Sequence, residues 1–478
     1  MRIPAARSRA LPLLLALGAL GCAGVWPFAA KPLWEQPPPP PRDAPVVQAG
    51  RLHREQLPNG VRVLVLEDRR LPAFALGVTI TRGVGVETLD EAGVAAYTAE
   101  LMERGAGART ALQLAGVVDA LGASLKVSET WDTMSAQVAG LAQDRDALFD
   151  VLADVVLRPR FDRDEAERVR SESLAALKQA ADDPETLLSW NFAKALYPGH
   201  RYGLPEAGTP ATVARLGASA ARAFHDRMFV PSAAIVFASG DVDPDALLAR
   251  IRTTYGAWQG PAAPDIGPEP PVPQQRHVVV VDRPDLGQAQ IGVGHGGIPR
   301  RDPRRLEAQL LNSALGGGGF SSRLMNRIRA EEGLTYGISS QFVMRHRAGP
   351  FAVFTFTRVP KVGEVVKGIL EELERVRKEP PSEAELAGVQ SQRAGQFALA
   401  LETSAEVAGA LVDLDVYDLP PDSLDTYRGR VRAITAAQTS EVARELIHPT
   451  RASIVVVGPA EQLRPQLEPF GPVEVVKP

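Results

Sequence analysis

Two similar segments, one in each half of the chain, constrain the fold more than any other sequence feature. Residues 231–240 and 449–458 each place a short apolar run between a proline and a glycine. In both copies a helix-like stretch follows, and it ends at an aromatic residue and a glycine, at 255–256 and at 470–471. The repetition indicates that two halves of the chain close their folds in the same way.

A proline-rich stretch separates the two halves. Residues 261–276 contain six prolines, a composition that interrupts both helices and strands. With 478 residues, the chain is also too long for a single hydrophobic core. We therefore predict one domain over residues 50–260 and a second over 277–478, joined by a linker at 261–276.

Within each half, strand-like runs alternate with longer helix-like patterns. Residues 61–66, 75–80 and 277–281 are short apolar runs rich in β-branched side chains. Residues 144–156 and 365–378 instead repeat apolar residues at helical spacing. Together the patterns predict an α+β fold in which helices cover one face of a sheet.

The first 49 residues have the composition of an export leader followed by a spacer. Three arginines precede an apolar run at 11–20 that is too short to span a membrane as a mature helix. The run ends at Gly21-Cys22, and because Cys22 is the only cysteine, no intrachain disulfide can form. We predict a signal peptide over 1–22 and a stiff, proline-rich tether over 23–49.

The position of Cys22, directly after the leader and a small residue, resembles a bacterial lipoprotein box, in which the cysteine is acylated. This resemblance implies a periplasmic protein anchored to the outer membrane through a lipid on Cys22. The alternative is ordinary cleavage near Ala23-Gly24 and a soluble periplasmic protein. The net charge of −4 argues against a nucleic-acid partner, because such a surface needs an excess of basic residues.

An amphipathic helix predicted at residues 93–106 lacks metal ligands on the face where a metal site could form. Its apolar stripe consists of Val94, Tyr97, Leu101 and Met102. Its other face carries Ala96, Ala99 and Glu100. In the inverted zinc-protease motif His-x-x-Glu-His, these three positions would hold the first histidine, the glutamate base and the second histidine.

The motifs around this helix resemble the M16 family of peptidases, which includes insulinase and mitochondrial processing peptidase. They lie at 57–65, 81–85, 121–125, 152–161 and 197–203. The resemblance covers residues 50 to 460 and implies two homologous αβ-roll domains that face each other like a clamshell.

The resemblance also implies a third zinc ligand, a glutamate, near Leu177. No carboxylate stands there, and the nearest one, Glu172, lies more than one helical turn upstream. None of the seven histidines stands three or four positions from another, so no helix offers a chelating pair. The sequence therefore predicts no metal cofactor in this chain.

The second half carries a residue pair that the resemblance implies to be functional. A helix predicted to begin at the serines 321–322 ends at Gly333, and a strand-like run follows at 334–338. A reversal at Gly333 could bring together Arg329 and Tyr336, which are seven positions apart as in M16 peptidases. There, a guanidinium and a phenol would bind the substrate backbone and the developing oxyanion. Without the resemblance, the pair is a surface arginine at a helix C-terminus and a half-buried tyrosine.

A run of four glycines precedes that helix: Gly316, Gly317, Gly318 and Gly319. One interpretation is a flexible connector between helices. The other is a short version of the glycine-rich substrate loop in the non-catalytic subunit of mitochondrial processing peptidase, which the run resembles.

These observations lead to the hypothesis of a pseudo-peptidase, the Arg/Tyr-bearing subunit of a heterodimeric periplasmic zinc metallopeptidase that acts on peptides or unfolded segments. A sister M16 chain would supply the zinc and the base, and a peptide would bind in extended form at a sheet edge. The alternative is a structural or peptide-binding M16 scaffold without enzymatic activity. The missing ligands disfavour a third possibility, an autonomous zinc protease.

Overall fold

The computed structural model describes Pro32 and residues 45–478. The predicted signal peptide, Cys22 and most of the predicted tether lie outside these residues. We refer to residues 45–260 as the first half and to residues 277–478 as the second half. Among the described residues, no helix has the length and apolar character needed to cross a bilayer.

The strands of the first half are β1 (Leu52–Gln56), β2 (Arg62–Glu67), β3 (Ala73–Ile80), β4 (Gly105–Ala106), β5 (Arg109–Thr110), β6 (Ser124–Glu129), β7 (Met134–Leu141) and β8 (Ala234–Gly240). Its helices are α1 (Val94–Met102), α2 (Ala111–Ala120), α3 (Arg145–Leu157), α4 (Arg163–Ala180), α5 (Pro184–Leu196), α6 (Pro210–Val213), α7 (Ala218–Met228) and α8 (Pro244–Tyr255).

The strands of the second half are β9 (His277–Asp282), β10 (Gln288–Gly296), β11 (Ile338–Phe342), β12 (Pro350–Arg358), β13 (Ser453–Gly458) and β14 (Val473–Val476). Its helices are α9 (Arg305–Asn312), α10 (Val362–Lys378), α11 (Glu383–Leu399), α12 (Ser404–Val416), α13 (Ser423–Ala433), α14 (Ala436–Leu446) and α15 (Ala460–Leu467).

Each half forms one six-stranded sheet, and the two sheets have matching orders. The first is β1-β2-β8-β3-β7-β6 and the second is β14-β9-β13-β10-β12-β11. The repeated segments of the sequence form β8 and β13, which are both third in order, parallel to one neighbour and antiparallel to the other. The predicted α+β fold with two similar domains is therefore confirmed.

Helices cover both faces of each sheet, not one face as the sequence patterns predicted, because one of the covering helices comes from the opposite half. In α5 of the first half, Leu188 and Phe192 belong to the same buried cluster as Val279 and Val455 of the second sheet. In the same way, helix α12 of the second half covers the first sheet. The shared buried cluster contains Val407, Leu411 and Leu414 of α12 with Leu64 and Phe237 of the sheet. Because both faces are covered, all seven residues of β8 and all six of β13 are buried, which explains their largely apolar sequences.

Polar contacts also join the two halves. Asp132 accepts hydrogen bonds from the backbone N–H of His346 at 3.0 Å and from the hydroxyl of Tyr417 at 2.9 Å. The connecting segment 261–276 contains no helix or strand, yet it is fixed on both sides. Arg82 donates to the Pro264 carbonyl at 2.6 Å, and Arg347 donates to the Gly267 carbonyl at 2.8 Å.

Candidate functional site

The zinc-motif positions of the first half lie on α1, at the wall of a cavity of about 490 Å³. Ala96 is half-buried, Ala99 is buried and the Glu100 side chain is 49% exposed. The far wall is α4, which contributes Glu172, Ser173 and Ala176. The structure thus brings together the three motif positions and Glu172, which the sequence placed more than a turn from the expected ligand.

A buried ion pair holds α1 in this place. Glu87 accepts hydrogen bonds from the N–H groups of Gly93 and Ala95, at the start of the helix, at 3.1 and 2.6 Å. Arg201 donates to the same carboxylate from Nε at 2.8 Å, and both side chains are at most 3% exposed. A carboxylate at a helix N-terminus also interacts favourably with the helix dipole.

Two carboxylates at the cavity accept hydrogen bonds from the same arginine. Arg104 donates from Nη2 to Glu100 at 2.5 Å and to Glu172 at 3.2 Å. The hydrogen bond with Glu100 raises the pKa of Arg104, so this cation stays charged across the physiological range. Burial raises the pKa of Glu129, a third carboxylate at the cavity wall, and the charge of Glu206 adds to this effect.

These residues do not fit a catalytic zinc ion, which needs three protein ligands and an open position. Ala96 and Ala99 offer only methyl groups, Leu177 is a buried side chain of α4, and Glu100 is already bound to Arg104. In the part of the chain that the structure describes, no group of three or more His, Cys, Asp or Glu residues is arranged to hold a metal ion.

Two histidines that are far apart in sequence do meet in the second half. The rings of His295 and His448 are 5.2 Å apart. Nε2 of His295 accepts the backbone N–H of His448 at 3.0 Å, so Nδ1 carries the proton and donates to the Gly296 carbonyl at 2.8 Å. Both nitrogens of His295 are therefore used within the fold, and burial lowers the pKa of this side chain to about 4.

Arg329 and Tyr336 come together as the sequence predicted. Arg329 lies in a π-helical segment, Met325–Glu331, and its guanidinium carbon is 5.9 Å from the centre of the Tyr336 ring. Gly333 has a φ of +63° and reverses the chain, with its N–H and that of Leu334 bound to the Arg329 and Ile328 carbonyls.

Tyr336 does not lie in a strand, because β11 begins only at Ile338. The segment before β11 is instead fixed by Thr335, whose hydroxyl donates to the Phe356 carbonyl at 2.6 Å. Tyr336 projects outward and is 82% exposed, rather than half-buried. Its hydroxyl is thus available to a bound molecule.

Phe320 is a third member of this site that the sequence analysis did not identify. Its ring centre is 4.6 Å from the guanidinium carbon of Arg329, and its side chain is 72% exposed. Arg329 is therefore flanked by two exposed aromatic rings, which orient a guanidinium without neutralising it. The sequence feature that could have identified Phe320 is its position as an aromatic residue directly after the glycine run.

The glycine run is part of the packed structure and not a free connector. It continues α9 as a π-helical turn, Ser313–Gly317, followed by a short 3₁₀ turn, Gly319–Ser321. A Cβ atom at Gly316 would lie 2.5 Å from the Ser340 hydroxyl of β11, so this position admits no side chain. The run therefore fixes where Phe320 is presented. π-Helical turns of this kind are frequent at functional sites.

Arg329 differs from the nearby arginines Arg323 and Arg327 in its contacts with carboxylates. Arg323 binds Glu385 through two hydrogen bonds, at 2.8 and 3.0 Å, and Arg327 pairs with Glu332 at 3.2 Å. Within the described residues, Arg329 forms no ion pair with a carboxylate. Its N–H groups and the Tyr336 hydroxyl can donate to a carbonyl oxygen or an anion.

Comparisons with known proteins match both halves of the chain. A model described as insulinase, peptidase family M16, matches residues 62–209, and one described as peptidase M16 inactive domain matches residues 215–393. An uncharacterized zinc protease of Streptomyces coelicolor is 27% identical over 418 residues, which cover 86% of this chain and 90% of the relative. An uncharacterized zinc protease of Mycobacterium tuberculosis is 28% identical over 425 residues, which cover 88% and 96%.

Solved structures give the same result. The peptidase M16 inactive domain from Pseudomonas fluorescens superposes with a TM-score of 0.80 at 26% identity, covering 85% of this chain and 98% of that one. A protease from Helicobacter pylori has a TM-score of 0.79 at 19% identity, covering 85% and 99%, a likeness that concerns the fold alone.

Proposed function

Because this chain belongs to the M16 (insulinase) family of peptidases, we propose that it is the Arg/Tyr-bearing subunit of a two-chain peptidase. A sister M16 chain with an intact zinc motif would supply the metal and the general base, which activate the attacking water. This chain would contribute substrate binding and transition-state stabilisation on peptides or unfolded segments.

The observation that carries the proposal is the contrast between the two sites of this chain. On α1, the Glu100 and Glu172 carboxylates are held by Arg104. In the second half, Arg329 forms no ion pair with a carboxylate of residues 45–478 and lies beside the exposed Tyr336. The chain thus has donors for a developing negative charge, while the described residues at the zinc-motif positions do not provide zinc ligands.

In the reaction, the carbonyl oxygen of the scissile peptide bond gains negative charge as the carbonyl carbon becomes tetrahedral. The guanidinium of Arg329 donates N–H groups to that oxygen or to the adjacent backbone, and the Tyr336 hydroxyl donates a second hydrogen bond. Such donors accelerate the reaction because they bind the charged intermediate more strongly than the neutral amide.

The position of β11 suits an extended substrate. It is the edge strand of the second sheet, and it begins two residues after Tyr336. A peptide added as a further strand along this edge would run past the Tyr336 hydroxyl, with its backbone hydrogen bonds supplied by β11.

The first test is to purify the chain alone and measure its zinc content and peptide cleavage. We expect neither stoichiometric zinc nor turnover. An M16 chain with an intact His-x-x-Glu-His motif, sought in the neighbouring reading frames, is then co-purified and the activity of the complex measured. One tightly bound zinc per chain together with cleavage by the isolated protein would refute the proposal.

The second test uses variants in the reconstituted complex. Arg329→Ala is expected to lower kcat by about 10²- to 10³-fold, the typical loss for an oxyanion donor. Tyr336→Phe keeps the ring beside Arg329 and should lower kcat with KM unchanged. Arg301→Ala, at an exposed position outside the site, is the control. Unchanged turnover in Arg329→Ala would favour the non-enzymatic scaffold.

We also propose export to the periplasm and a lipid anchor on Cys22. Incorporation of a labelled fatty acid into the wild-type chain, and its loss in Cys22→Ala, would support the anchor. Release of the unlabelled mature protein into the soluble periplasmic fraction would indicate ordinary cleavage instead.

A further inference from the structure

The second half contains a cavity that corresponds to the one beside α1. Its volume is about 380 Å³, and it lies among α9, α11, α12 and α13. Helix α9 follows β10 as α1 follows β3, and α11 packs on α9 as α4 packs on α1. The two halves therefore place a cavity at the same point of the fold, and this one is not used by the proposed reaction.

Arginines line this second cavity where the first has carboxylates. Arg305, the first residue of α9, is only 8% exposed, and in the described part of the chain its side chain has no hydrogen-bond or ion-pair partner. Arg393 of α11 also lines the cavity and uses only Nε, which donates to the Ser313 hydroxyl at 2.9 Å. The Arg305 guanidinium is thus partly enclosed at the cavity wall with no carboxylate of residues 45–478 bound to it, an arrangement that favours an anionic ligand.

The compensating charge from the protein is small. Arg300 also lines the cavity, and its contact with Asp413, at 3.4 Å, is the one ion pair seen among the lining residues. Burial raises the pKa of the Asp413 carboxyl. Among the residues that line the cavity, three guanidinium groups thus face one carboxylate, and the charge of Glu307, outside the lining, also acts on Arg305.

Most of the remaining wall is apolar, with Gln309, Gln396 and Ser423 as its polar members. Phe397 and Tyr427 are stacked with ring centres 4.3 Å apart. Leucines complete the lining: Leu306, Leu401, Leu414, Leu419 and Leu424. The cavity therefore suits a molecule with one anionic group and an apolar body, and it is less suited to a polyanion, whose remaining charges would contact leucine side chains.

We propose that this cavity binds the C-terminal carboxylate of a peptide whose last side chain is apolar. The carboxylate interacts with Arg305 and Arg393, and the side chain lies against the leucines and the Phe397–Tyr427 stack. The peptide assignment rests on the proposed function. Helix α9, which lines this cavity, leads directly into the glycine run and Phe320. A short stretch of chain therefore connects the cavity to the Arg329 site.

The test is calorimetric titration of the isolated chain, without a partner subunit and without cleavage. N-acetyl-Ala-Ala-Leu with a free carboxylate is expected to bind at least about tenfold more tightly than the same peptide with a C-terminal amide, because a charge-assisted pair is lost. Arg305→Met and, separately, Arg393→Met should each weaken the binding of the acid by about tenfold. Arg301→Met, at an exposed position outside the cavity, should bind as the wild type does.

Thermal unfolding of each variant verifies that it folds, and two arginines on different helices guard against a local folding defect in either one. Equal affinity for the acid and the amide, or unchanged affinity in both folded variants, overturns the proposal. Binding of decanoate without binding of the peptide acid also overturns it, in favour of an acyl-chain ligand. Because no turnover is measured, failure here is distinct from failure of the Arg329 test.

Discussion

The two halves of the molecule share the order of strands in their sheets, but the cavities beside α1 and α9 carry opposite charge. The first is lined by Glu100, Glu129 and Glu172, and the second by Arg300, Arg305 and Arg393. The common fold is maintained by buried apolar residues of the sheets and their covering helices. The charged side chains that line each cavity do not belong to these clusters, so they can differ without changing the scaffold.

The largest difference that we expect between the halves is in how much the ion pairs near the starts of α1 and α9 contribute to the free energy of unfolding. Arg201→Met leaves Glu87 buried without its cation and should lower the unfolding free energy by about 3–5 kcal/mol. At α9, Arg304 is 40% exposed and pairs with Asp302 and Glu445, so Arg304→Met should cost at most about 1 kcal/mol. Urea unfolding of both variants measures the contrast, and equal losses would contradict it.

Helices α5 and α12, which each pack on the sheet of the opposite half, should instead contribute equally to stability. Leu188→Ala in α5 and Leu411→Ala in α12 each remove a buried side chain that packs on the opposite sheet. Each is expected to lose about 3 kcal/mol on urea unfolding. Leu112→Ala, 84% exposed on α2, should change stability by less than about 0.5 kcal/mol. A large loss of unfolding free energy in only one of the two buried variants would show that α5 and α12 do not contribute equally to stability.

Mild acid should affect the second half through His295. Above pH 6.5 this side chain is neutral in both states and contributes no pH dependence. Between pH 6.5 and 4 the unfolded chain binds a proton that the folded chain does not, because burial lowers the folded pKa to about 4. The unfolding free energy should therefore fall by up to about 3 kcal/mol over this range.

His225 in the first half has a pKa that burial also lowers, and its Nε2 is 2.9 Å from the Val156 carbonyl oxygen. We expect His295→Gln to remove more of the acid sensitivity than His225→Gln does. Unfolding free energies at pH 7 and pH 4.5 compare the two, and the reverse order would contradict the assignment.

The smallest effect is expected at Phe320. Loss of its cation–π contact with Arg329 in Phe320→Ala should lower kcat of the reconstituted complex by about two- to fivefold, with KM unchanged. Phe320→Tyr should retain the wild-type kcat. Leu112→Ala, which removes a similarly exposed apolar side chain from α2 of the first half, is the control. A change in KM alone would indicate that Phe320 contacts substrate and does not position Arg329.

Local sequence patterns were sufficient to predict much of this architecture. The repeated β8 and β13 segments, the turn at Gly333 and the proximity of Arg329 to Tyr336 all depend on residues that are near in sequence. Tyr336 was wrongly expected to lie in a strand, because its apolar neighbours resemble one. The hydroxyl of Thr335, bound to a carbonyl of β12, holds that segment outside the ladder.

Other features depend on contacts between distant residues. Glu172 reaches the α1 cavity because α4 packs against α1, and Arg104 then links it to Glu100. The ring of Phe320 lies against Arg329 because the glycine run is packed on β11. No spacing rule in the sequence encodes either contact.

The sequence by itself determined the family, the two-fold repetition, the absence of histidines from α1 and the identity of the Arg329–Tyr336 pair, since each is a matter of residue type at a given position. Only the tertiary structure decided which half covers which sheet and which charges meet in each cavity. Those outcomes follow from packing between helices far apart in the chain, which bury apolar side chains and leave some polar groups unpaired in the remaining space.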